Sequence, residues 1–278
     1  MADTPSGTAI DAARLRAGHQ LIDQGCIFND PYAVPITGEL KTHIRAWSSE
    51  TPVREYYRYH VAVRSRVAED RLAEAVAVGT RQAVILGAGL DTFSLRNPHA
   101  DAGLRVYELD KQATQALKLD RITAAKLSVP ASTSFTPADL EKQPLQEALR
   151  KAKVALDRPI FFVWLGVVTY LTETAIFDTL TAIAGIPGSE VVFDYGNPPE
   201  DYPSDRRTGL EKRIAEMQKR GEKWQGFFRP AALQQRLHSL GFSLSANMSP
   251  HDIYKRFRPN VRTPPVNDPG SHIMWAKV

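Results

Sequence analysis

The residues best suited to chemistry lie around one loop. Arg81 to Thr92 reads RQAVILGAGLDT, a continuous apolar run that ends in Gly87, Ala88 and Gly89. Glycines at the carboxyl end of a strand let the backbone approach a ligand closely, so this run reads as a nucleotide-type cradle. Downstream, Val106 to Asp110 reads VYELD, a second strand whose terminal carboxylate, Asp110, is placed to accept from ribose hydroxyls. A third element, Ala138-Asp139-Leu140, follows the run STSFTP. Asp139 is suited to an adenine amino group with Leu140 packed on the ring, and it would also serve as a helix N-cap.

The loop also bears on which nucleotide it takes. A dinucleotide fingerprint needs a third glycine where this chain has Thr92, preceded by Asp91. An aspartate there repels a pyrophosphate and tolerates a cationic sulfonium, which favours S-adenosylmethionine over NAD. Metal chemistry is not expected, because the seven histidines form no HExxH or other close ligand spacing. No GxSxG marks an esterase. Asp205 to Lys223 carries seven basic and four acidic residues at helical i,i+4 spacing, which reads as a solvated helix face. Lys255, Arg256, Arg258 and Arg262, interleaved with Tyr254 and Phe257, read as a solvated loop, and no nucleic-acid partner is expected.

These residues need a scaffold, and the chain supplies one by alternation. Short β-branched or aromatic runs at Ala83 to Leu86, Leu104 to Leu109, Ser132 to Thr136, Ile160 to Trp164 and Glu190 to Tyr195 are separated by helical or turn-rich stretches. That grammar predicts an α/β fold with a doubly wound, mostly parallel sheet. Residues 1–80 read as a helical cap, 81–195 as the cofactor-binding core, and 196–278 as C-terminal helices and final strands. No long Pro/Gly/Ser linker divides them, so 1–278 reads as a single domain.

Composition excludes more than it selects. The longest apolar stretch, Ile160 to Leu171, spans 12 residues. A bilayer-spanning helix takes roughly 20, so this stretch reads as a buried strand running into the core, with no membrane partner. The N-terminal sequence lacks the basic and apolar pattern of a signal peptide, and the single cysteine, Cys26, cannot form an internal disulfide. A cytoplasmic location is the expectation. The formal charge of +4 barely biases the choice of partner, and the sequence leaves oligomeric state open.

Taken together, RQAVILGAGLDT, VYELD, ADL and FFVWLGVVTYLT resemble the leucine carboxyl methyltransferase family, in particular its bacterial small-molecule O-methyltransferase branch. Asp30-Pro31-Tyr32-Ala33, Arg64-Ser65-Arg66 with Asp70, GEKWQGFF (Gly221 to Phe228) and Leu240-Gly241-Phe242 extend the resemblance over nearly the whole chain. It implies a seven-stranded class I methyltransferase sheet and S-adenosylmethionine as cofactor. It also implies that Gly87, with Ala88 and Gly89, lies against the methionine part, Asp110 takes the ribose, and Asp139 and Leu140 flank the adenine. Arg64 is matched to the arginine that pairs with the cofactor carboxylate, with Arg66 as the alternative. One departure stands out: where better-known members of that family carry a glutamate after the fourth strand, this chain has Leu165 in Trp164-Leu165-Gly166. A small-molecule acceptor is then expected in place of a protein one.

Tyr57, His60 and Arg64 fall at i, i+3 and i+7, on one helix face. His60 and Tyr170 are the candidate bases or orienting donors, and Tyr57 and Tyr195 the candidate substrate contacts; a structural role for His60 is the other reading. The expected reaction is methyl transfer to a carboxylate or hydroxyl of a small metabolite, polyketide-like compounds among them. The alternatives are a nicotinamide-dependent oxidoreductase and a non-catalytic S-adenosylmethionine-binding protein.

Overall fold

A computed structural model describes residues 4–278, and the chain divides into two compact units. Met1–Asp139 with Ala148–Val154 form the first, Leu140–Glu147 with Ala155–Val278 the second. The first contains α1 (Gly7–Ile22), α2 (Lys41–Ser49), α3 (Pro52–Ala77), β1 (Gln82–Leu86), α4 (Phe93–Arg96), β2 (Arg105–Asp110), α5 (Gln112–Ala124) and β3 (Thr133–Pro137). Helix α6 (Leu145–Lys151) shares its residues between the units. The second continues with β4 (Phe161–Trp164), α7 (Glu173–Ala184), β5 (Glu190–Gly196), α8 (Ser204–Lys219), α9 (Pro230–Ser239), β6 (Leu244–Met248), α10 (Pro250–Phe257) and β7 (Ser271–Lys277).

The strands follow the order β3-β2-β1-β4-β5-β7-β6 in a seven-stranded sheet. In the first unit β1 pairs parallel with β2 and β2 with β3, so that Leu86 faces Leu109 and Asp110 faces Pro137. The carboxyl ends of three strands are thereby brought level. In the second, β4 pairs parallel with β5, while β7 runs antiparallel between β5 and β6. β1 and β4 are buried along their whole length, as an apolar run without alternation requires of a strand covered on both faces.

Local chemistry sets the helix bounds. Thr51 caps α3 by accepting from the Arg54 amide, Pro52 takes the first position, where its missing N–H costs nothing, and no glycine or proline follows until Gly79. In the first unit α1 and α2 cross so closely that a Cβ on Gly18 would lie 2.4 Å from the Ser48 hydroxyl, so only glycine fits there.

Three expectations are corrected. Asp139 caps no helix: α6 starts only at Leu145, and Asp139 lies in the connection after β3. The apolar stretch from Ile160 does not continue as a strand, because Gly166 turns the chain at φ 69° and a 3₁₀ turn follows at Val168–Tyr170. Lys255 and Arg256 lie on α10 rather than in a loop. A reciprocal cap, Ser249 accepting from the Asp252 amide and Asp252 from the Ser249 amide, starts that helix.

Candidate cofactor site

The glycine loop sits at the carboxyl end of β1, and its geometry needs glycine. Gly87 has φ 65° and Gly89 φ 52°, the left-handed region that side chains disfavour. The Gly87 and Ala88 amides donate to the Leu109 carbonyl at 2.8 and 3.3 Å. The Gly89 amide donates to Asp110 Oδ2 at 2.5 Å, and the Lys111 amide to Oδ1 at 2.6 Å. Asp110 therefore clasps the loop. Each carboxylate oxygen accepts more than one hydrogen bond, so capacity for ribose hydroxyls remains. Burial pushes the Asp110 carboxyl above its ordinary value, against the pull of those two amides. The Ala138 amide donates to the Asp110 carbonyl at 2.8 Å, which sets Asp139 at the neighbouring strand end. The loop, ribose and adenine candidates of the first unit thus share one edge. Leu140 belongs to the second unit, half-buried in a turn.

Behind the loop lies a buried ionic network that the sequence reading did not foresee. Asp30, its side chain fully buried, meets Arg16 Nε at 3.0 Å and accepts from the Thr92 hydroxyl at 2.6 Å and the Tyr32 amide at 3.0 Å. Arg16 also donates through Nη1 to Asp91 at 3.3 Å and through Nη2 to the Leu90 carbonyl. Arg96 donates to the Thr92 hydroxyl at 3.2 Å and pairs through both Nη atoms with Glu69 of α3. Burial pushes the Asp91 carboxyl up, but the charges of Arg16, Lys118 and Arg96 and the Phe93 N–H outweigh it and hold it below its ordinary value. The argument from Asp91 to a sulfonium needs correcting on this point. Its charge is already compensated by Arg16, so repulsion of a pyrophosphate is no criterion. The readable signal for Arg16 was a charged residue among buried Ala13, Ala17 and Gly18 on α1.

Among the α3 candidates, Arg66 is engaged by Asp70 at 2.7 Å and the Ile27 carbonyl at 3.3 Å, while Arg64 is half-buried. His60 is 4% exposed, its ring parallel to that of Tyr56 at 6.3 Å between centroids; Tyr57 is half-buried and meets Tyr56 edge-on at 5.2 Å. In the second unit, Tyr170 closes the 3₁₀ turn, and its carbonyl accepts from Gln225 Nε2 at 3.1 Å. The Gln225 and Gly226 amides hold the Thr169 carbonyl, and a Cβ on Gly226 would lie 2.1 Å from the Val168 oxygen. This strap, part of the run GEKWQGFF, is therefore pinned to the turn. Tyr195 is 3% exposed; its hydroxyl donates to Asn247 Oδ1 at 2.8 Å and its ring stacks on His272 at 5.2 Å. Burial pushes its phenol well above the ordinary value. After β4, the Gly166 amide donates to Asp194 Oδ1 at 2.5 Å, beside Leu165. Among the described residues no cluster of three His, Cys, Asp or Glu could hold a metal ion, and no helix is long and apolar enough to cross a membrane.

Comparison with known proteins agrees with this geometry. The profile of the leucine carboxyl methyltransferase family matches residues 9–184. The chain is 33% identical over 211 residues to YktD of Bacillus subtilis strain 168, named as a putative S-adenosyl-L-methionine-dependent methyltransferase, covering 71% of this chain and 65% of YktD. A protein of the same description from Mycolicibacterium gilvum is 30% identical over 77% of this chain and 74% of its own length. Among solved structures, a DUF574 family protein from Streptomyces avermitilis superposes with TM-score 0.56 at 16% identity, covering 96% of this chain and 99% of that one. A protein described as a putative methyltransferase from Thermobifida fusca gives 0.55 at 18%, covering 99% and 95%. These two show the class I methyltransferase fold. With the glycine loop, its clasp at Asp110 and the family profile all falling on the same residues, the chain belongs to the leucine carboxyl methyltransferase family of S-adenosylmethionine-dependent methyltransferases.

Proposed function

We propose that the chain is an O-methyltransferase acting on a small metabolite, and that the acceptor is a carboxylate in preference to a phenol or alcohol. Bound S-adenosylmethionine supplies the methyl group and a thioether leaving group. Displacement at a methyl carbon asks the protein chiefly for alignment and desolvation. The residues present suit that cofactor. The Gly87–Gly89 turn carries no side chain larger than the buried Ala88 methyl, and Asp110 retains acceptor capacity for the ribose. Asp139 is the adenine partner, with Leu140 on the ring, and Arg64, half-buried on α3, is the partner for the cofactor carboxylate, with Arg66 as the alternative.

The observation that carries the choice of acceptor is the condition of the candidate bases. His60 is buried, and the Tyr195 phenol is buried and bonded to Asn247. A carboxylate is ionised at neutral pH and needs no base, whereas a phenol near pKa 10 benefits from one. A carboxylate acceptor would reach the cofactor already ionised, so the side chains of this chain would have no proton to remove and would only orient it. Tyr57 and Tyr170 are then orienting contacts. A reducing cytoplasmic setting, with neither nucleic acid nor membrane as partner, accompanies this reading.

The test is label transfer from methyl-labelled S-adenosylmethionine to matched panels of carboxylic acids and phenols. A base-labile methyl ester is the expected product, and its rate should stay flat between pH 6 and 9, roughly, where carboxylates remain ionised. A base-stable methyl ether as the sole product would sink the carboxylate reading.

A further inference from the structure

The geometry points to Arg16 as a positioning residue of the cofactor site. From α1 it holds the loop Gly87–Thr92 in its binding shape through the Leu90 carbonyl and the Asp91 carboxylate. The inference rests on that loop being where S-adenosylmethionine binds. Arg16 is 7% exposed in its side chain and meets three partners: Nη1 donates to Asp91, Nη2 to the Leu90 carbonyl, and Nε lies 3.0 Å from Asp30 in an ion pair without a hydrogen bond. Two of these belong to the loop. The third, Asp30, accepts from Thr92, the last residue of the loop.

The remaining ties of the loop lie mostly on its other flank. Gly87, Ala88 and Gly89 are bonded toward β2, through the Leu109 carbonyl and Asp110. The turn from Leu90 to Thr92 faces the N-terminal helices. There α1 approaches so closely that a Cβ on Gly89 would come within 3.2 Å of the Ala9 Cβ. Removing the Arg16 charge would strip the buried Asp30 and the half-buried Asp91, on either side of Thr92, of the cation they share, leaving Arg96 beside Asp30 and nothing to hold the Leu90 carbonyl and Asp91 to α1, so the turn would shift. Lysine in its place restores the charge but not the fork, because an ammonium is a point donor on a flexible stem. Cofactor affinity should therefore follow the fork and not the charge alone.

Titration calorimetry of the full chain with S-adenosylhomocysteine, together with amide exchange over residues 87–92, tests this. Arg16→Lys is expected to weaken binding tenfold or more and to speed exchange in 87–92 while leaving 161–164 unchanged. Asp91→Asn, which keeps Arg16 paired with Asp30, is expected to fold and to lose severalfold in affinity, and it stands in should Arg16→Lys fail to fold. The double variant Arg16→Met with Asp91→Asn should lose less than the sum of its single changes, as partners in one network do. A folded Arg16→Lys or Asp91→Asn protein with wild-type affinity, even with a lowered melting temperature, overturns the inference and leaves Arg16 a purely structural ion. Absence of S-adenosylhomocysteine binding by the wild type would instead overturn the placement of the cofactor.

Discussion

Two carboxylates show how much an acidic residue depends on what surrounds it. Asp110 is held by two amides and pushed up by burial, and in the proposed function its remaining lone pairs take the ribose hydroxyls. Asp110→Ala should weaken S-adenosylhomocysteine binding by more than tenfold, about 1.4 kcal/mol, in a calorimetric titration. Asp23 is the opposite case. Burial raises its carboxyl, but hydrogen bonds from His19 and Arg58 and the Arg58 charge bring it down to about 2. Its folded value lies below the unfolded one, so its stabilising share is fully present above the ordinary carboxylate range and is lost as pH falls toward 2. Urea denaturation of Asp23→Asn should accordingly show a shallower loss of stability between pH 4 and 2, roughly, than the wild type. Asp110 was legible in the sequence because it ends a strand in register with a glycine loop. Arg16 and Asp23 were not, because their partners lie on separate elements that only the folded chain brings together.

Elements whose residues carry their own signal were read correctly, and those made by neighbours were not. β1, β2, β4 and β5 follow from apolar runs, and α3 from a long stretch without helix breakers. β6 reads LSANM, with Leu244 exposed and the rest half-buried or exposed, so nothing in its pattern announces a strand; its pairing with β7 makes it one. α10 depends on its cap, and Ser249→Ala should cost about 1 kcal/mol in chemical denaturation. The strap at Gln225 and Gly226 depends on the absence of one carbon. Gly226→Ala would drive a Cβ into the Val168 carbonyl, a backbone atom that cannot rotate away. The expected loss is about 1–3 kcal/mol in thermal denaturation, with earlier proteolytic cleavage in residues 221–228.

For the molecule as a whole, the charge inventory proved a poor guide to where charge resides. The excess of four positive charges barely biased the choice of partner and carries no information on place, and Arg16, Asp30, Arg58, Glu108 and Lys118 are all buried. Lys118 and Glu108 meet at 2.5 Å with side chains about 1% exposed. Such pairs cost desolvation and give geometry in return, so a bound ligand should add measurably to stability. S-adenosylhomocysteine at a hundredfold over its dissociation constant should stabilise the chain by about 2.7 kcal/mol, and NAD should leave its melting temperature unchanged. A calorimetric scan with each reads both. Cys26 gives the chain a practical property of another kind. The sequence holds one thiol, exposed between the His19 contact at Ile27 and the end of α1, and four residues before Asp30. A maleimide dye would label this chain at a single known address, beside the anchor of Arg16. Its emission should shift on adding S-adenosylhomocysteine but not NAD, turning the lone cysteine into an optical gauge of how the N-terminal helix responds to cofactor.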